Sequence, residues 1–271
     1  IPTLSRIDDQ KTLDHMPPKY QKMVTLVVQE KQYEGYRKAH QKTVKRIMSV
    51  GNDIGIAKTR ELICRDAGMT RFSMIDDDVK FYRRNTKEFK DHGFKNNMEK
   101  TSRLMTESDW DDMCNLIYQW HDEGIIHCGH RRRYKSMSRS YSYNTFFNDI
   151  HHLDGKILSE IIDEINFTRI EYGEDANLMF EYITRGYKNK RSDEFVYWGD
   201  SYKQGGCDDY RDGNGHDTEH KKLQDYWGDD VVIFKERMMA QGKYGKERMG
   251  MIDEYIYKPK LAYKKYKKSQ T

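Results

Sequence analysis

The stretch Arg71-Phe-Ser-Met-Ile-Asp-Asp-Asp-Val-Lys-Phe81 decides how the rest of the chain is read. A run of strand character, 71–75, ends in three consecutive carboxylates. Like charges packed together raise one another's pKa unless water or a cation lies among them. A solvated acidic turn is one reading. The other is a cation site. A strand's period of two puts Asp76 and Asp78 on one side and Asp77 opposite. Two carboxylates there suit Mg²⁺ or Mn²⁺, hard cations that share oxygen ligands with phosphate. Position after a hydrophobic strand favours the cation.

Upstream, Ile1–Arg6 reads as a strand running into a loop, and Lys22–Gln29 and Thr43–Val50 read as further strands rich in β-branched residues. The turn 51–55 opens a helix that runs to about Ala67 and stops at Gly68. Strand and connector alternate over the first 80 residues. That order predicts an α/β fold with a mainly parallel, Rossmann-like sheet flanked by helices and ligands at the strands' carboxyl ends. Downstream, 109–123 reads as a helix capped by Ser108, Gly124–Gly129 as a short strand, and 130–155 as loops with short strands. A strand over 167–172 leads into a helix that ends at Gly186, and Val196–Trp198 and Val231–Phe234 follow as late strands. With no internal repeat or low-complexity linker, the expectation is one domain with a decorated C-terminal half.

Composition narrows the class. The 271 residues are 36% hydrophobic and 34% charged, with a net charge of +4 and 20 tyrosines, which describes a folded protein with a very polar surface. The four cysteines form no CxxC pair, so reduced thiols in a cytoplasm-like compartment are expected. No apolar run approaches the roughly 18 residues of a membrane-spanning helix. The chain starts at Ile1 rather than at a methionine, which leaves room for a preceding segment.

Further residues carry chemistry. Arg60 falls in the apolar stripe of the 56–67 helix, between Ile56 and Ile63, and a buried guanidinium must find an anion. Asp76, a ligand phosphate or another pocket aspartate could each serve. In Tyr172-Gly-Glu-Asp175, Asp175 sits where a helix cap belongs. With Glu174 beside it at a strand-to-helix junction, it could instead take a proton from an attacking hydroxyl. His216 and His220, one helical turn apart in a Gly- and Asp-rich segment, could each supply a nitrogen ligand or lie on a solvated lid. Two blocks interleave positive charge with tyrosines: Arg131, Arg132, Arg133 and Lys135, and a tail carrying Lys264, Lys265, Lys267 and Lys268. Such blocks neutralise phosphates and stack on bases, or are merely solvated.

Taken together, Ile75–Val79 (IDDDV), Gly55–Arg60 (GIAKTR) and 172–188 (YGEDANLMFEYITRGYK) resemble, in order and spacing over about residues 1–190, the GT-A fold of nucleotide-sugar glycosyltransferases. The basic aromatic blocks and the start at IPTLSR look most like phage-type DNA-modifying glycosyltransferases associated with TET/JBP-like dioxygenases. The resemblance implies a donor half (1–105), an acceptor half (106–257) and a basic tail (258–271). It implies a UDP-sugar donor whose uracil Thr3, Ser5 and Arg6 border. Arg60, Asp76 and Asp77 would face the donor, and Asp76 and Asp78 would bind Mn²⁺ or Mg²⁺ with His216 or His220. Asp175, beside Glu174, would be the base, and a hydroxymethylated pyrimidine in phage DNA, in the host cytoplasm, the acceptor. A polysaccharide or protein acceptor, or a non-catalytic nucleic-acid-binding protein, remain as alternatives.

Overall fold

The structure, a computed structural model, describes residues 1–85, 101–134, 139–171, 173–199, 215–238 and 251–270, with the side chains at 215–217, 235–238 and 251–254 outside that description. The first part runs α1 (Lys11–Asp14), α2 (Pro18–Gln21), β1 (Thr25–Val28), α3 (Tyr33–His40), β2 (Arg46–Ser49), α4 (Ile56–Ala67), β3 (Phe72–Ile75) and β4 (Val79–Arg84). The second runs β5 (Ser102–Leu104), α5 (Glu107–Asp122), β6 (His127–Arg132), β7 (Tyr141–Tyr143), β8 (Ile150–Leu153), α6 (Gly155–Ser159), α7 (Glu174–Ile183), β9 (Asn189–Gly199), α8 (Gly215–Trp227), β10 (Val232–Met238), β11 (Met251–Tyr257) and α9 (Pro259–Ser269).

Local sequence explains most of these elements. Helix α4 occupies the predicted span and ends where Gly68 takes φ 56°, a conformation that costs glycine little. Helix α5 is capped by Thr106, two residues earlier than expected. The Thr106 hydroxyl and the Asp109 carboxylate satisfy each other's backbone amides as a capping box. The expected strand over 167–172 is absent from the described residues of that span. Phe167 and Ile170 are buried as separate anchors, and Arg169 ties the segment to α7 through Asn177 and Glu181.

The expected mainly parallel sheet is instead mixed. Strands β1 and β2 pair parallel, and Pro2 bridges Val27 in the same sense. The larger sheet has the order β3-β8-β6-β9-β4-β5, with β7 also on β9, and only β6/β9 is parallel there. Parallel neighbours need a long crossover, whereas strands joined by short loops return antiparallel. Strand–helix alternation holds to residue 80. From β6 to β8 no helix intervenes among the described residues, and β8 comes back antiparallel to both β3 and β6.

Two buried clusters flank the sheet edge that matters. One joins Cys64 of α4, Met74 of β3, Leu153 of β8 and Leu178 and Tyr182 of α7. The other packs Ala176, Met179, Phe180 and Ile183 of α7 against Leu223, Val232 and Ala262. Helix α7 is therefore gripped on two sides, and its first turn is fixed over the end of β3.

Candidate active site

Strand β3 stops at Ile75, so the three aspartates span a turn rather than continuing a strand. The period-of-two argument for placing them therefore lapses, and their partners decide where each points. Thr12 of α1 clamps the turn: its amide donates to the Asp77 carbonyl and its hydroxyl to the Asp76 carbonyl, while the Val79 amide donates back to Thr12 Oγ1.

Asp77 and Asp78 turn toward the N-terminal segment. Thr3 Oγ1 donates to Asp77 Oδ2 at 2.5 Å, and Arg6 Nη1 lies 2.5 Å from Asp77 Oδ1 and 3.3 Å from Asp78 Oδ2. Ser5 takes φ 57° and is held by Gln32, whose amide nitrogen donates to Ser5 Oγ at 2.9 Å. Asp76 turns the other way, to Arg60 at 3.5 Å. The aspartates thus divide between two arginines.

Arg60, 2% exposed, is the hub of the second group. Its Nη2 lies 2.9 Å from Asp175 Oδ1 and its Nε 3.2 Å from Glu174 Oε1. Burial alone would pull its pKa down, but Asp175, then Glu174 and Asp76, outweigh that and raise it. Of the anions the sequence left open, the guanidinium takes Asp76 together with the Glu174–Asp175 pair. Asp175 is not the cap of α7. Gly173 holds that position at φ 84°, and a Cβ there would sit 3.2 Å from His220 Nε2. The Asp175 side chain thereby meets Arg60, the Asp149 backbone and His151 Nε2, which donates to Asp175 Oδ1 at 2.8 Å.

Electrostatics separates the carboxylates. Burial, with Asp149, Asp175 and Asp78 as neighbours, pushes Asp76 well above the usual range despite Arg60. Burial, helped by Asp77 and Asp149 and opposed by Arg6, raises Asp78 to about 6. Asp175 goes the other way: against burial, Arg60 and then His151 hold it well below the ordinary value.

The sequence reading missed Asp149 and the histidines. Asp149 sits at φ 65°, accepts the Asp76 amide on its carbonyl at 2.9 Å and pairs with Arg132 at 2.8 Å. It precedes β8, whose four residues are all buried yet include His151 and His152. Paired histidines in a fully buried strand were the available signal, since neutral rings inside a core need partners.

Other predicted residues separate from this centre or change role. Arg132 belongs to it through Asp149. Arg131 pairs with Asp193, and Arg133 stacks 3.9 Å over Tyr82 and donates to Ser102 Oγ. The three arginines expected on a nucleic-acid-binding surface are part-buried, and each also has a partner within the molecule. Lys135 lies outside the described residues. The basic tail folds as α9, seated on α7, with Lys264, Lys265, Lys267 and Lys268 exposed and Lys265 paired with Asp230 at 2.6 Å. His216 and His220 both fall on α8. His220 is buried against Tyr255, ring centroids 4.4 Å apart, beside Gly173, and the His216 side chain lies outside the described part.

Among the described residues no helix is long and apolar enough to cross a membrane, and no group of three or more His, Cys, Asp or Glu is arranged to hold a metal by itself. No curated protein and no solved structure matches the chain. A family model, TET-Associated Glycosyltransferase (TAGT), matches residues 1–206, a span that contains Thr3, Arg6, Arg60, the three aspartates, Asp149, His151 and Asp175. Helix α9 lies beyond it. The chain belongs to the TET-associated glycosyltransferases and is an enzyme of the GT-A fold.

Proposed function

We propose that the chain moves a sugar from a UDP-sugar to the hydroxyl of a hydroxymethylated pyrimidine in DNA. The observation that carries the reading is the convergence on Arg60 of Asp76, from the donor-side turn, with Glu174 and Asp175, from the start of α7. Thr3 and Arg6, already bound to Asp77 and Asp78, and Ser5 between them border the nucleotide base, and Asp76 faces its ribose.

Asp78 and Asp76 are the residues that would hold Mn²⁺ or Mg²⁺. Their carboxylates are hard oxygen donors whose proton affinity is raised by burial and by neighbouring carboxylates, Asp149 beside both, a condition that a cation relieves. When bound, the cation supplies charge neutralisation to the departing nucleotide. His220 lies beside the cap of α7, where it supports the packing of that turn.

Asp175 accepts the acceptor's proton. Arg60 and His151 keep it ionised but also lower its proton affinity. It therefore takes the proton late, once bond formation at the anomeric carbon has made the hydroxyl acidic. The lysines of α9 offer phosphate contacts without base reading. A DNA acceptor also sets the site of action in the host cell's cytoplasm.

The test is nucleoside mass spectrometry of hydroxymethylated DNA after incubation with a panel of UDP-sugars and Mn²⁺. One hexose or pentose increment, abolished by EDTA, is the expected result. Unmodified DNA with every donor, alongside transfer to a polysaccharide or protein, would overturn the acceptor.

A further inference from the structure

We propose that His151, its tautomer fixed by His127, is a positioning residue that sets the orientation of the Asp175 carboxylate for transfer. The inference rests on the reading of Asp175 as the proton acceptor. Its evidence is a continuous chain of hydrogen bonds. His151 Nε2 meets Asp175 Oδ1 at 2.8 Å, and His127 Nε2 meets His151 Nδ1 at 2.8 Å. The two rings lie nearly parallel, 14° apart, and each is 1% exposed.

The chemistry leaves one assignment of protons. Burial lowers the pKa of both histidines, so both rings are neutral and each carries one N–H. Arg60 sits on the same Oδ1 at 2.9 Å and keeps Asp175 an acceptor only. His151 must therefore donate from Nε2, which leaves Nδ1 a bare lone pair. His127 must then donate from its own Nε2 into that lone pair. His127 Nδ1 is left as a buried acceptor with no partner.

A second histidine chain supplies the contrast. By the period of two, His151 and His152 face opposite sides of β8. On the His152 side, Ser73 Oγ donates to His152 Nδ1 at 2.6 Å, His152 Nε2 pairs with His130 Nε2 at 2.7 Å, and His130 Nδ1 donates to the Phe195 carbonyl at 3.2 Å. That chain begins on a hydroxyl and closes on a carbonyl with both rings satisfied, as core histidines usually are. The His127–His151 chain ends on a carboxylate and leaves an orphan at its far end. An unpartnered buried acceptor costs stability, and an apolar pair of similar shape would avoid that. What the arrangement supplies is direction. An ion pair from α4 and a hydrogen bond from β8 meet on one oxygen of Asp175, so the carboxylate cannot swing to follow Arg60 alone. Fixing the tautomer of a ring that orients a reacting group is the logic of the catalytic triad.

The experiment measures steady-state transfer by the full chain carrying His151→Phe, His151→Gln, Asp175→Asn or, as a control on the other chain, Ser73→Ala. His151→Phe keeps bulk and removes the donor. It should lower kcat about tenfold to a hundredfold, the scale of a misplaced reacting group, with the KM for UDP-sugar unchanged. Gln can place an amide N–H near the former Nε2 and should restore most of kcat. Ser73→Ala should act like the parent. A His151→Phe enzyme with normal kcat, or a Gln variant as slow as Phe, overturns the inference while leaving Asp175 as base. Asp175→Asn at full rate instead overturns the base reading beneath it. Should His151→Phe fail to fold, long-range ¹H–¹⁵N correlation on the parent protein decides. Both His151 and His127 must carry their proton on Nε2, and Nδ1–H on either ring sinks the proposal.

Discussion

Replacing Arg60 with methionine would remove the cation on which three carboxylates converge and leave most of the side chain's bulk in place. The cost can be worked from the site. Breaking a buried pair by deleting one partner costs about 3–5 kcal/mol, because the surviving charge stays desolvated. The Asp76 side chain is 33% exposed and can turn to water, which removes part of its share. Glu174 and Asp175, at 10% and 14%, cannot. A loss of about 3 kcal/mol is therefore expected at pH 7. With a urea dependence of about 3 kcal/mol per molar for a chain of this size, the unfolding midpoint should fall by about 1 M. Fluorescence of the buried Trp110 and Trp120 reports it. The deficit should also shrink toward pH 5. In the parent, Asp175 lies below its unfolded pKa, so its contribution is present above about pH 4 and is lost as pH falls through the folded value. Without Arg60, Asp76 rises further above its unfolded value and burial raises Asp175 as well, so both destabilise the fold at neutral pH and are relieved by protonation as pH falls. A midpoint shift of equal size at pH 7 and pH 5 would show that Arg60 acts through packing and not through charge.

Three further outcomes follow from the same geometry. Asp78→Ala should make UDP binding indifferent to Mn²⁺, and calorimetry that still finds metal-dependent affinity would remove Asp78 from the cation site. Asp109→Ala breaks the capping box of α5 and its pairs with Arg83 and Arg103, and should cost roughly 2 kcal/mol at pH 7. Against burial, Arg103, Thr106 and Arg83 hold Asp109 well below the ordinary range. Its contribution is thus present in full above about pH 4 and is lost as pH falls from there through the folded value, so a gap in thermal midpoint as wide at pH 2 as at pH 7 would refute the assignment. Changing Lys264, Lys267 and Lys268 to alanine should weaken duplex binding for all sequences alike and flatten its salt dependence by about 0.9 per lost contact. UDP binding should be untouched, and anisotropy that does not respond to the changes would exclude α9 as a DNA contact.

Local sequence was enough to place the strand into the aspartates, helix α4 and the helix after Gly173, because each rests on short-range features: an apolar period and a terminating glycine. That Arg60 points inward was also legible, since its position in the apolar stripe follows from 3.6 residues per turn. Its partners were not. Asp76, Glu174 and Asp175 come from elements separated in sequence by about a hundred residues, and only the packing of α7 over the end of β3 brings them to one guanidinium. The same limit explains the sheet. Strand partners follow from how distant segments fold back, and no local pattern states them, so an expected parallel sheet proved to be a mixed one. The role of Arg132 was hidden because its partner, Asp149, lies at the mouth of another strand. His127 and His151, ordinary in sequence, became neighbours of Asp175 only through the register of β6 against β8. Residue type and spacing determined which chemistry this chain could carry, since those are properties of one segment at a time. Which carboxylate stays charged, which is crowded toward protonation and which ring orients which oxygen were decided by tertiary structure, because burial and the distance between charges exist only once distant segments meet.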